Sequence, residues 1–204
     1  VKKTAATFDS NSNKVIIGYQ STSGIVGGIV VGTVSGTSIS FGTPVIFNNA
    51  QTMRPSLSFD SNLNKVICVY EDYGNSSTVS GTSISFGAEV VFRSAAIAYN
   101  AVDFDSNSNK VVIVYEDVSN GGFGTAIVGT VSGTSISFGS PIVFESAFIN
   151  HISLAFDSVA NKTSIVYTDT GNSNYGTSVV FTAGSTNNTS FIGITAEAIS
   201  DTAT

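Results

Sequence analysis

The run Val111-Val112-Ile113-Val114-Tyr115 is apolar at every position, the pattern of a strand covered on both faces. Ser135-Ile136-Ser137-Phe138 alternates instead, as a strand with one wet face does. The segments Ala101 to Phe104, Lys110 to Tyr115, Thr125 to Val131 and Ser135 to Phe144 are rich in Val, Ile, Phe and Thr and are divided by clusters of Asn, Ser and Gly. They predict four antiparallel strands, the last of them outermost. Pro44 and Pro141 fall at the same place in that outer strand, where an edge tolerates a missing N–H. Helical periodicity is absent.

The pattern repeats. Phe8-Asp9-Ser10-Asn11-Ser12-Asn13-Lys14 returns from Phe59, Phe104 and, in weaker form, Phe156, at spacings of 51, 45 and 52 residues. A second marker, Val34 to Gly42, recurs at Val79 to Gly87 and Val131 to Gly139, each 25 residues before the next unit's Phe. The chain therefore reads as a single repeat domain, 1–204, with units at approximately 4–54, 55–98, 99–150 and 151–204; the last ends in Phe191-Ile192-Gly193-Ile194 instead of the marker. One small sheet with two apolar faces needs neighbours on both sides, so the expected fold is an all-β propeller of four four-stranded antiparallel blades. Half of a larger ring formed by two chains, or a β-sandwich array, are the alternatives. The distance from the unit's Lys to Val-Ser-Gly is 20 residues in unit 1, 21 in unit 3 and 14 in unit 2, which predicts a shortened hairpin between the second and third strands of unit 2.

Composition narrows the surface chemistry. Only 11% of the 204 residues are charged, with net charge −6, so solubility rests on Ser, Thr, Asn and Gly. That resembles a virion or extracellular surface. No basic cluster exceeds Lys2-Lys3, so nucleic acid is not expected as a partner. Cys68 lies inside an apolar run and reads as a buried hydrophobe. The longest candidate membrane segment, Gly24 to Gly32, has nine residues against the roughly 20 needed, so no membrane insertion is expected. A start at Val1 leaves processing or excision from a longer polypeptide open.

Asp-x-Asn-x-Asn at Asp9, Asp60 and Asp105 begins like a calcium loop, but Lys stands sixth and no Glu follows at position twelve. These segments predict hairpin turns in which Asp and Asn bond their own backbone, with no metal and no cofactor. Glu71-Asp72 and Glu116-Asp117 follow the second strands and read as solvated shoulders. A sialidase-like grip on a carboxylate needs three arginines, whereas this chain has Arg54 and Arg93; His151 is the one histidine available for a triad. The expectation is a protein that is not an enzyme.

The loops between second and third strands carry the candidate site. Asn120 and Phe123 in unit 3, and Asn172, Asn174 and Tyr175 in unit 4, set an aromatic ring among amides, the means of stacking on a sugar while bonding its hydroxyls. Rings folded inward to cap their sheets are the alternative.

The segments Phe104 to Asp117 and Gly124 to Gly139, with the closing stretch Phe191 to Asp201, resemble the tandem repeat of tail-fibre-like proteins of marine bacteriophages and related environmental sequences. The resemblance implies a virion appendage that contacts other virion proteins and a host-surface glycan or receptor, and it supplies no site residues. The expected function is binding of host-surface glycans or receptors, as a virion appendage or extracellular module, with homo-oligomers possible. The alternative is a structural spacer or assembly module without a small-molecule ligand.

Overall fold

The computed structural model describes residues 1–22, 26–72, 75–80 and 86–183, and of 75–80 the backbone. It is an all-β, propeller-like stack of open antiparallel sheets, with two three-residue 3-10 turns as the helical content of the described residues. The first sheet contains β1 (Thr4–Asp9), β2 (Lys14–Gln20), β3 (Gly27–Ser35), β4 (Ser38–Phe41) and β5 (Val45–Asn48). The second contains β6 (Thr52–Asp60), β7 (Lys65–Asp72), β8 (Asn75–Ser80) and β9 (Val90–Arg93). In the third, β10 (Ala98–Asp105), β11 (Lys110–Asp117), β12 (Phe123–Ser132) and β13 (Ser135–Phe138) form unit 3 with the start of β14 (Ile142–Asp157). The rest of β14 crosses into unit 4 and pairs with β15 (Lys162–Asp169), which pairs with β16 (Tyr175–Phe181). The Phe191–Ile194 ending, Ser23–Ile25 and much of the second unit's marker lie outside the described residues.

The outer strand differs from expectation. Ser135 to Phe144 is two pieces: β13 pairs with Gly129–Ser132, and β14 pairs with Phe123–Ala126. Pro141 lies in the break between them, as Pro44 lies between β4 and β5, because a ring without an N–H cannot continue the ladder. The shortened hairpin of unit 2 is present, with Asp72 paired to Asn75 across two intervening residues.

First strands of successive units lie side by side. They are tied by side chains: Ser56 Oγ accepts from Val102 N at 3.2 Å, and Asp103 Oδ2 accepts from Phe156 N at 2.8 Å. Apolar clusters fill the gaps between sheets. In the second strands of units 2 and 3 the residues one, three and five after Lys face the preceding unit, and those at two and four face the following one. Thus Val111, Ile113 and Tyr115 pack against Ile67 and Val69, while Val112 and Val114 pack against Ile165 and Tyr167. This accounts for the unbroken apolar run, which is fully buried from Val111 to Tyr115.

The two ends of the stack differ. On unit 1, Phe8, Val34, Ile39 and Phe41 are exposed, whereas the matching Phe104, Val131 and Ile136 of unit 3 are buried against unit 2. On unit 4, Ser164 and Ser178 stand where Val112 and Ala126 stand in unit 3, giving that outer face a more polar character.

Candidate functional site

One end of the stack carries the turns from each second to third strand together with the links between units. In unit 3, Val118–Asn120 forms a 3-10 turn closed by Gly121 and Gly122, both in the left-handed region. Gly122 is required there, since a Cβ would overlap the Phe148 ring. Ser119 N donates to Ala96 O and Ser119 Oγ accepts from Ala96 N, pinning this turn to the preceding link. In unit 4, Thr170 Oγ1 donates to Phe148 O at 2.6 Å and Asp169 Oδ1 accepts from Asn172 N at 3.2 Å.

Asn120, Asn172 and Asn174 are exposed at this end, Tyr175 is 47% exposed and Phe123 is half-buried. Phe123 is cross-strand partner to Phe148, a 45% exposed ring that the repeat pattern did not single out because the matching residue in unit 2 is Ala96. The rings are therefore not all folded inward: Phe148 and Tyr175 remain open to solvent.

Beside these turns the first strands bulge. An extra residue sits between Met53 and Ser56, between Ala98 and Ala101, and between Asn150 and Ser153. In each bulge the residue five before the unit's Phe has positive φ: Arg54 at 45°, Tyr99 at 50° and His151 at 50°. These three form a ladder, with Arg54 Cζ 4.7 Å from the Tyr99 ring centre and the Tyr99 and His151 rings 5.2 Å apart.

Of the carboxylates expected on solvated shoulders, Glu71, Glu116 and Asp117 are instead buried and Asp72 is half-buried. Glu71 Oε2 accepts from Arg54 Nη1 at 2.7 Å, and Glu71 Oε1 from Asn100 Nδ2 at 3.3 Å. Burial pushes the Glu71 carboxyl above its ordinary value, against the pull of Arg54. Asp117 Oδ1 accepts from Arg93 Nη2 at 3.0 Å. Both arginines are thus committed to carboxylates of this chain. Glu116 is 2% exposed and its Oε2 has no hydrogen-bond partner among the described residues; burial raises its pKa to about 6.

The opposite end holds the Asp-x-Asn turns. Asp9, Asp60, Asp105 and Asp157 each accept through Oδ1 from the N–H groups two and three residues on. Asn13, Asn64, Asn109 and Asn161 take the left-handed conformation. Lys14, Lys110 and Lys162 donate to Thr33, Thr130 and Thr182, so the sixth-position Lys ties its turn to the third strand in units 1 and 3 and to the residue just past it in unit 4. Among the described residues no group of three or more His, Cys, Asp or Glu gathers as a metal ion needs.

No family model matches the sequence, and no curated protein matches it. Among solved structures, a variant of the NanB sialidase from Streptococcus pneumoniae aligns with TM-score 0.63 and 12% identity, over 80% of this chain and 27% of that one. TolB from Acinetobacter baumannii aligns with TM-score 0.55 and 11% identity, over 87% of this chain and 40% of that one. At these identities the likeness defines the class of fold, a propeller-like β array, and the chain spans less than half the length of either neighbour.

Proposed function

We propose that this chain is a non-enzymatic module of a virion appendage or another extracellular assembly, its four repeat units serving as four blades and one end binding neutral host-surface glycans. The observation that carries the reading is the company kept at that end: Phe123 beside Phe148, and Tyr175, among the exposed amides of Asn120, Asn172 and Asn174. Sugar rings stack on such faces, and each hydroxyl exchanges water for an amide of similar strength, so single sites are weak. Several copies on one assembly would raise the effective concentration without new contacts. The test is adhesion of multivalently displayed protein to host-cell polysaccharide. The double variant Phe123→Ala, Tyr175→Ala should stay folded and lose adhesion; equal adhesion by the variant would defeat the reading.

A spacer or assembly role is the second reading, favoured by the uncovered apolar face of unit 1 at Phe8, Ile39 and Phe41. Association of two copies through that face would support it.

A further inference from the structure

Glu71 and Glu116 hold one position in successive units, six residues after Lys65 and Lys110, opposite Met53 and Ala98. Glu71 is fully served. Its own unit's bulge supplies Arg54, and the next unit supplies the Asn100 amide and the Tyr99 backbone. Moving each partner one unit along gives Tyr99 in place of Arg54, Ile152 in place of Asn100 and His151 in place of Tyr99. The guanidinium has become a phenol ring and the amide a hydrocarbon. The carboxylate has nevertheless stayed, 2% exposed, with Oε2 unpartnered among the described residues.

A buried carboxylate oxygen without a donor is costly, whereas the first unit's copy of the position is Gln20, which has no charge to desolvate. What Glu116 lacks is what Arg54 gives Glu71, a cationic N–H donor. We propose that Glu116, which repeat equivalence sets beside Tyr99 and His151, is a binding site for a cationic N–H group, a guanidinium or primary ammonium, supplied by a ligand. His151 is exposed and its ring packs on that of Tyr99, so the proposal requires this ring pair to part and admit the ligand to the carboxylate. Ring faces beside a carboxylate suit such a group, since the rings exclude water while the oxygen takes the N–H. The site adjoins the aromatic turn of unit 3, since Glu116 pairs with Gly124 next to Phe123, but it does not depend on glycan binding there.

The test follows the Glu116 carboxyl carbon by NMR, its signal assigned with Glu116→Gln, during titration with methylguanidine and D-glucosamine. Tetramethylammonium, a cation without N–H, and N-acetylglucosamine, the amino sugar without charge, are the controls. Either probe should shift the signal and lower its midpoint by about half a pH unit or more, while neither control does. Response to methylguanidine alone points to an arginine-like ligand, and response to glucosamine alone to an amino sugar; both support the site. The second variant is Tyr99→Arg, which restores inside the chain the partner that Glu71 has, at a bulge where Arg54 shows that arginine fits. It should weaken probe binding about tenfold or more. No response from either probe, equal response to the controls, unchanged binding by Glu116→Gln, or unchanged binding by Tyr99→Arg would each overturn the proposal.

Discussion

Ile39 and Ile136 hold the same place in the repeat, each opposite a valine of the third strand, yet Ile136 is 4% exposed and Ile39 42%. The difference lies in what faces them: unit 2 covers Ile136 through Ile67, Val69 and Phe92. Truncation of Ile136 to Ala should therefore cost about 2–5 kcal/mol, the range for a buried large-to-small change. Truncation of Ile39 should cost under about 1 kcal/mol, its transfer term being largely absent. Urea denaturation of the two variants compares them directly; equal losses would mean that the unit 1 face is covered in solution.

Tyr70 and Tyr115 make a second matched pair. Tyr70 Oη donates to Glu89 at 2.7 Å, whereas Tyr115 Oη is buried without a partner among the described residues, and burial with the nearby Asp117 charge pushes it up to about 12. Removing an unsatisfied hydroxyl is neutral or stabilising, while removing a bonded one to a charged group costs about 1.5–3 kcal/mol. Tyr115→Phe should leave the melting temperature unchanged or raised, and Tyr70→Phe should lower it.

The Glu116 carboxyl gives a pH dependence of defined sign. Its folded pKa, about 6, lies above the ordinary 4.5, through burial first and the Glu71 charge second, with Arg54 opposing. The folded state therefore holds the proton more tightly, and this group's contribution is greatest below pH 4.5 and is lost as pH rises through 6. Relative to Glu116→Gln, the wild-type protein should lose stability between those limits and plateau above them. Paired denaturation curves across the window would show it, and a flat difference would contradict the assignment.

Much of the fold was legible because each strand sits between neighbours, so burial on both faces wrote itself into runs such as Val111 to Tyr115. The ladder of Arg54, Tyr99 and His151 was hidden by chemistry: the three share one offset before the unit's Phe, but no residue type repeats. Aligning units by position instead of identity would have placed them together. The burial of Glu71 could not be read from a strand end that looks solvated, since it depends on a one-residue bulge carrying Arg54 across from it. Likewise the break in the outer strand depends on Pro141 falling where β12 changes partner, a matter of register that composition does not encode.

The Asp-x-Asn turns should hold their shape without a metal. In each, one carboxylate oxygen accepts two backbone N–H groups, which is the work a cation would otherwise share, and the Lys at the sixth place of units 1 and 3 donates to a threonine on the third strand. Chelation should therefore leave the melting temperature within about a degree, since a ligand that is not bound contributes nothing by mass action. Asp105→Ala should lower stability by about 1–2 kcal/mol, because two part-buried N–H groups lose their acceptor. Asp105→Asn, whose amide oxygen can still accept both, should recover most of that loss in the absence of any added ion. A drop of several degrees with chelator that added calcium reverses, or an Asp105→Asn variant as weak as Asp105→Ala, would show that the carboxylate serves a metal after all.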